Sequence, residues 1–263
     1  MSGRTKFSVF TKFWRSHPLP ELGKLVADLG FDGVELPVRP GFQVEPAGAE
    51  RDLPAAARIL ADFGLEIMTV AATVDERMIA ACAAAGVPVL RDMVSIPEDR
   101  DYLNAIAECQ RGWEALVPAL ESQNVALGIQ NHCFRYITHA MHLYHALAPY
   151  DPRHICAVWD AGHNALQGED VELALDVVWS HLRVVNMKNA FWQRTNGPEA
   201  EFAQWQPIFT TGRQGLADWP RVFRELERRD YRGPVCLCAE YTDAASVDRL
   251  VAEDLAFAKQ LVG

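Results

Sequence analysis

The sequence predicts an α/β fold, a single (β/α)8 TIM barrel that spans residues 1–263. Short apolar runs alternate with amphipathic segments at a spacing of roughly 30 residues, and eight such units fit the length of a barrel. Three of the amphipathic segments end on the glycine of DLG, DFG or AAG, which is typical of a helix terminus. No break in composition marks a second domain.

The eight predicted strands are the apolar runs at 7–14, 33–38, 66–74, 88–96, 125–132, 155–160, 183–189 and 234–241. Helices are predicted at 19–30, 52–64, an alanine-rich stretch up to Gly86, 101–122, 138–147, 171–182, a segment opened by Asp218, and 244–261. Asp218 suits a helix start because its carboxylate can accept hydrogen bonds from the first amides, and Pro220 suits the first turn. Residues 190–215 are predicted to form a long polar loop, of the kind that often serves as a lid.

The composition excludes several classes of protein. The formal net charge is −10 without a basic cluster, which argues against nucleic acid or an anionic membrane surface as a partner. The apolar runs are far shorter than the roughly 20 residues of a membrane span. The start, MSGRTKFSVF, lacks the features of a secretory signal, so a cytoplasmic location is expected. The six cysteines have mostly apolar neighbours and form no CxxC pair, which favours buried free thiols.

Polar side chains follow the apolar runs at the ends of four consecutive predicted strands, the fifth to the eighth. They are Gln130 with Asn131 and His132, Asp160 with His163, Asn186 with Lys188, and Glu240. We expect them to lie together, because the carboxyl ends of barrel strands meet at one mouth. Each alone has another explanation, since an aspartate can cap the next helix and a histidine can be a hydrogen-bonded packing residue. Two carboxylates buried together are costly without a cation, and this favours a metal site.

Other predicted strand ends carry Trp14, Glu35 and Arg39, which could form the walls of a substrate pocket. Glu35 interrupts an apolar run, and we expect it to bind substrate. Trp192 and Trp205 lie in the predicted loop, where they could stack on a sugar or pack the loop down.

The sequence resembles the xylose isomerase-like barrel superfamily, which includes sugar phosphate isomerases and epimerases. The resemblance rests on GFDGVEL, IQNH, WDAGH, NMKN and GRQGLADWPRVFRELERRDYRGPVCLCAEY, in this order along nearly the whole chain. It implies a metal held by Glu, Asp, His and Glu at the ends of strands five to eight. Those places are held here by Gln130, Asp160, Asn186 and Glu240. The resemblance also implies that His163 and Arg213 contact the substrate.

The two departures from the family pattern, Gln130 and Asn186, leave a set of oxygen ligands. Oxygen ligands favour Mn2+ or Mg2+ over zinc, so one of these two ions is the expected cofactor. Only Asp160 and Glu240 remain anionic, and we therefore expect the ion to be held weakly.

The resemblance implies an enzyme that removes a proton next to a carbonyl group to give an enediolate. The family epimerases use two glutamates for this, and Gln130 cannot act as a base. One base, Glu240, with Lys188 and His132 as further acid or base, favours isomerisation of a sugar, sugar acid or related polyol. A lyase or dehydratase on the same site and a non-catalytic sugar-binding barrel are the alternatives. The expected partner is a small carbohydrate, and the sequence leaves a homo-oligomer open.

Overall fold

The computed structural model describes residues 5–262, and eight parallel strands within them close into a barrel. The barrel strands are β1 (Phe7–Phe10), β2 (Gly33–Pro37), β3 (Glu66–Ala71), β4 (Val89–Asp92), β5 (Ala126–Gln130), β6 (Ile155–Asp160), β7 (Leu182–Met187) and β10 (Val235–Leu237). Each strand pairs with the next along the chain, and β10 pairs with both β7 and β1 to close the ring. The predicted (β/α)8 architecture is therefore confirmed.

Helices follow the strands on the outside of the barrel. They are α1 (Leu19–Leu29), α2 (Ala49–Ala61), α3 (Glu76–Ala84), α4 (Tyr102–Gln123), α5 (Ala140–Leu147), α6 (Ala161–Leu166), α7 (Val171–Val178), α8 (Trp219–Arg228) and α9 (Val247–Leu261). Asp218 accepts a hydrogen bond from the Arg221 amide, as expected of a helix cap. No helix in residues 5–262 is long and apolar enough to cross a membrane.

The core has two layers, as a barrel requires. A small cluster fills the interior of the barrel, and it consists of Phe10, Ala71, Val89, Ala126, Cys156, Val158, Val184 and Cys236. A much larger cluster lies between the strands and the helices. Gly128 is needed inside, because a Cβ there would lie 2.7 Å from Val158 Cγ2. All six cysteines are free, and five of them are buried.

The prediction of a loop at 190–215 is wrong in part, because this segment contains an antiparallel hairpin. Its strands are β8 (Asn189–Arg194) and β9 (Trp205–Thr210), paired from Asn189 with Thr210 to Arg194 with Trp205. The hairpin could not be predicted from the sequence, because its turn, 195–204, is long and lacks the two-residue signal of a tight turn.

Several predicted strands are shorter in the structure, and each loses residues at its carboxyl end. The fifth predicted strand, β5, ends at Gln130 rather than at His132. The eighth predicted strand, β10, ends at Leu237 rather than at Tyr241. Helix α6, directly after β6, was not predicted. The polar residues that follow the barrel strands therefore lie in the connections at the mouth.

Candidate active site

The barrel order makes β5, β6, β7 and β10 neighbours, so the four predicted metal ligands lie side by side at one mouth. The register pairs Asp160 of β6 directly with Asn186 of β7. Gln130 ends β5, and Glu240 follows β10 after a short connection. The structure thus brings these four residues together, as expected from the sequence.

Asp160 is fully buried and uses both carboxylate oxygens. Oδ1 accepts a hydrogen bond of 3.0 Å from the backbone amide of His163, so Asp160 caps α6. Oδ2 accepts a bond of 2.8 Å from Gln130 Nε2 and lies 3.4 Å from Lys188 Nζ. The backbone of Asp160 is held by the side chain of Asn131, which accepts from its amide at 2.7 Å. Asp160 therefore caps α6 and also carries one of the negative charges that lie beside Lys188.

The ammonium group of Lys188 lies at the middle of the cluster. It donates a hydrogen bond to Glu240 Oε2 and lies 3.0 Å from His163 Nε2. Burial alone would lower the pKa of Lys188, but the carboxylates of Asp160 and Glu240 raise it well above its ordinary value. Lys188 is therefore a cation at neutral pH, and it cannot serve as a base there.

Glu240 lines the cavity with a carboxylate that two lysines share. Oε2 accepts from Lys188, and Oε1 accepts from Lys12 Nζ at 2.8 Å. Burial would raise the pKa of Glu240, but the two lysines outweigh it and hold the pKa well below its usual range. The preceding residue, Ala239, has a left-handed φ of 50°, which is uncommon for a residue with a side chain. Glu240, the residue after this strained position, lines the cavity.

His132 and His163 lie against each other, with ring centroids 3.9 Å apart. His132 Nδ1 lies 2.8 Å from the carbonyl oxygen of Cys133, so Nδ1 carries the proton and Nε2 the lone pair. Burial lowers the pKa of His132 to about 4, and burial together with Lys188 lowers the pKa of His163 well below its ordinary value. Both rings are neutral at physiological pH.

Two buried amide oxygens, Gln130 Oε1 and Asn186 Oδ1, have no hydrogen-bond partner among residues 5–262. A cation or a hydroxyl donor would satisfy them. The residues do not fit a divalent ion held by Asp160 and Glu240, however, because the ammonium of Lys188 already lies between these carboxylates. A divalent ion there, together with Lys188 and Lys12, would bring four positive charges against the two negative charges of Asp160 and Glu240.

A second group of possible ligands is His132, Cys133 and His163, whose ligand atoms lie within 4.8 Å of one another. Burial raises the pKa of the Cys133 thiol to about 12, so the thiolate that metals prefer is not formed readily. The Lys188 ammonium at 3.0 Å from His163 Nε2 also opposes a cation. This group is a possible metal site with an unfavourable charge beside it.

Across the barrel, Glu35 is fully buried and forms an ion pair with Arg91. Its other oxygen, Oε2, accepts a hydrogen bond of 3.0 Å from Thr69 Oγ1. Both Glu35 oxygens are thus engaged inside the protein, and Glu35 does not line the cavity. The structure places it behind Arg91, where it orients that guanidinium.

The cavity at this mouth has a volume of about 70 Å³ and a lining with more positive than negative side chains. Its lining residues are Phe10, Lys12, Arg39, Arg91, Met93, Gln130, His132, Asn186, Lys188, Cys238 and Glu240. Four of these are cations and one is a carboxylate. Arg39 makes no side-chain hydrogen bond or ion pair within residues 5–262, and its guanidinium lies 5.8 Å from the centre of the Phe10 ring.

Arg213 lies away from this cluster. Its guanidinium stacks on Phe257 at 3.6 Å from the ring centre and reaches Gln260 of α9. Trp14 is also directed elsewhere, since its Nε1 donates to Asp248. The predicted lid contributes Phe209 of β9, whose ring lies 5.7 Å from Lys188 Nζ.

The sequence reasoning missed Lys12 and Arg91 as cavity residues. Arg91 stands near the end of β4 after a run of apolar residues, so the rule that identified strands five to eight applies to it as well. Lys12 gave no such signal, because it lies in a short 3-10 helix (Thr11–Trp14) that follows β1.

The family model for the xylose isomerase-like TIM barrel matches residues 24–261. Inosose dehydratase from Bacillus velezensis is 30% identical over 101 residues, which cover 36% of this chain and 34% of that protein. The match thus spans about a third of that relative's length.

Solved structures with the same fold cover almost the whole chain. D-psicose 3-epimerase from Clostridium cellulolyticum H10, solved with D-tagatose, has a TM-score of 0.72 and 14% identity, covering 98% of this chain and 99% of that one. A probable 3-DHS dehydratase involved in petrobactin synthesis from Bacillus anthracis has a TM-score of 0.75 and 12% identity, covering 97% and 99%. The neighbours thus include epimerases and dehydratases. The chain belongs to the xylose isomerase-like TIM barrel family.

Proposed function

We propose that this protein is an isomerase that converts a sugar acid or a related sugar or polyol through an enediolate at the mouth of the barrel. The observation that carries the proposal is the buried ammonium of Lys188, fixed between Glu240 and Asp160 on the wall of a polar cavity beside the neutral His132. A fixed cation and a neutral imidazole together suit removal of a proton next to a carbonyl group.

Lys188 supplies the positive charge of this reaction. When a base removes the proton from the carbon beside the carbonyl, the electron pair moves to the carbonyl oxygen and forms an enediolate. The ammonium donates a hydrogen bond to this oxygen, and its position is set in advance by Glu240, Asp160 and His163. Such a preorganised charge stabilises the transition state more than the ground state.

His132 is the base that the geometry favours. It lines the cavity, it is neutral at physiological pH, and its Nε2 is free to accept a proton because Nδ1 donates to Cys133. Glu240, the base suggested by the sequence, has both oxygens paired with lysines and a strongly lowered pKa, which weakens it as a base. In the proposed reaction the hydroxyl proton of the enediolate passes to the former carbonyl oxygen, and His132 returns the proton that it removed to the carbon carrying that oxygen. The carbonyl and hydroxyl groups thereby exchange positions.

The charge of the cavity supports an acidic substrate. Arg91 is balanced by Glu35, and Lys12 and Lys188 share Glu240 and Asp160. Arg39 remains without an anionic partner in the described part of the chain. A carboxylate on the substrate would pair with this guanidinium, since arginine binds carboxylates through two parallel hydrogen bonds.

A dehydratase is the second candidate, and the similarity to inosose dehydratase favours it. It shares the first step, after which the electron pair of the enediolate expels a hydroxyl group from the next carbon. That hydroxyl must gain a proton to leave as water, and the imidazolium of His132 can donate the proton that it took from the carbon. In both reactions the ammonium of Lys188 supplies the positive charge for which the sequence suggested Mn2+ or Mg2+.

Exchange with heavy water tests the proposal on a panel of candidate substrates. Ketoses, uronic acids and inosose-type cyclic ketones are incubated in D2O with the native chain and with His132→Gln, and the recovered compounds are analysed by NMR and mass spectrometry. We expect deuterium at the carbon next to the carbonyl of at least one acidic sugar, together with its isomer. A product that lacks one water would support the dehydratase, and absence of exchange in all compounds would contradict both.

A further inference from the structure

We propose that the Lys188 ammonium takes the place of a divalent cation in this barrel, so that the site works without a metal. The proposal rests on the proposed function for the role of the ammonium toward substrate. Its structural part, that Lys188 excludes a divalent ion from the mouth, stands on geometry alone.

Lys188 occupies the position that a divalent ion would need. Asp160 and Glu240 are the only carboxylates among the four predicted ligands, and an ion at this mouth would have to bind both. Lys188 Nζ bonds to Glu240 Oε2 and lies 3.4 Å from Asp160 Oδ2, so it occupies the space between them. Ligand distances of roughly 2.0–2.2 Å leave no room for Mg2+ or Mn2+ beside it on the same two oxygens.

The side chain of Lys188 cannot easily leave this position. It is only 5% exposed, and Nζ is also bonded to His163. Its stem packs over Gly162, where a Cβ would lie 2.5 Å from Lys188 Cγ. The glycine of WDAGH thus has a specific role, because it makes the space through which the lysine reaches the carboxylates.

The two carboxylates at the ligand positions are balanced without a metal ion. Lys12 and Lys188 already balance Glu240 and Asp160. The amides at the other two ligand positions, Gln130 and Asn186, add no negative charge to attract an ion. Their oxygens without partners are suited to hydroxyl donors of a polyol, so the four positions together recognise an oxygen-rich organic molecule.

Mn2+ binding by the purified chain tests this inference, and it needs no substrate. Binding is measured by calorimetry and by the shift in melting temperature for the native chain, Lys188→Met and Lys12→Met. Methionine keeps the length of the lysine stem and removes its charge, and Lys12→Met is the matched control because Lys12 also pairs with Glu240 but is 42% exposed.

We expect no measurable Mn2+ binding by the native chain or by Lys12→Met, and measurable Mn2+ binding by Lys188→Met, because the ammonium no longer repels the ion. Tight binding by the native chain that Asp160→Ala abolishes would overturn the inference. Equal failure of native and Lys188→Met chains to bind would also overturn it, since the amides would then exclude the ion.

If Lys188→Met does not fold, as judged by circular dichroism, the native chain decides. Mn2+ binding to it refutes the inference, and absence of binding together with deuterium exchange that resists a chelator supports it.

The two proposals fail separately: a native chain that binds Mn2+ and exchanges deuterium keeps the proposed function and loses this inference. A native chain that does neither, with Mn2+ binding gained in Lys188→Met, loses only the proposed function.

Discussion

Two buried ion clusters face each other across the mouth of the barrel, and they differ in how completely their oxygens are engaged. In the first, Glu35 is held by Arg91 and Thr69, is fully buried and lies behind the cavity wall. In the second, Lys188 joins Asp160 and Glu240 beside two amide oxygens that have no hydrogen-bond partner among residues 5–262, and Glu240 is 21% exposed.

The difference shows that a buried ion pair alone does not mark a catalytic site. In the first cluster both oxygens of Glu35 are engaged inside the protein and only Arg91 reaches the cavity, so the cluster holds Arg91 in place. The second cluster leaves acceptors and a cation facing the cavity, where a ligand can meet them. Removal of a charge should therefore affect mainly stability in the first cluster and mainly chemistry in the second.

The largest expected effect is on stability, in the first cluster. Arg91→Met should lower the free energy of unfolding by about 3–5 kcal/mol, because Glu35 is left as a buried carboxylate without its cation. Urea unfolding followed by circular dichroism measures this. The double variant Glu35→Leu with Arg91→Met should recover much of the loss, and a double variant as unstable as the single one would argue against the ion pair as the cause.

The next effect is on catalysis, in the second cluster. Lys188→Met should slow deuterium exchange into the substrate by about 10²–10³-fold, the usual cost of removing a donor to an oxyanion. Lys12→Met, which removes the other cation on Glu240, should cost less. Comparable losses in both variants would contradict the special role of Lys188. The two clusters would then differ only in how exposed their side chains are.

A third prediction concerns pH. The neutral form of His132 is the base, so the exchange rate should stay level from neutral pH downward and fall only near its pKa of about 4. An ordinary histidine would lose activity near 6.5. A rate profile in deuterated buffers measures this, and a midpoint near 6.5 would exclude His132 in its present environment as the base.

The same shift affects stability with a definite sign. The unfolded chain takes up a proton on His132 near pH 6.5, whereas the folded chain does so near 4. The stability that His132 contributes is therefore complete above pH 6.5 and is lost as the pH falls toward 4. Urea unfolding at pH 7 and pH 5 should show a smaller decrease for His132→Gln than for the native chain.

The smallest effect is expected outside both clusters, at Arg213. Its guanidinium is stacked on Phe257 and paired with Gln260, away from the cavity. Arg213→Ala should change stability by less than about 1 kcal/mol and leave the KM of the substrate unchanged. A clear rise in KM would instead support the substrate contact that the family resemblance implies.

Much of the architecture could be predicted from the sequence, because barrel strands and helices repeat a local pattern. Strand six was placed at Ile155–Asp160 without error, since an apolar run there ends abruptly at a carboxylate. The hairpin of β8 and β9 could not be predicted in this way. Its strands pair across the long turn at 195–204 and alternate weakly, so no local signal separates them from a loop.

The sequence by itself determined that Gln130, Asp160, Asn186 and Glu240 gather at the mouth, because strand order and periodicity bring the ends of β5, β6, β7 and β10 together. Only the tertiary structure decided what these residues do to one another. The position of Lys188 between Asp160 and Glu240 depends on the space over Gly162, and the burial of Glu35 depends on Arg91 two strands away. Such contacts join residues that are far apart in the sequence. Which charged group lies beside a given carboxylate therefore depends on side-chain packing, which no local sequence pattern specifies.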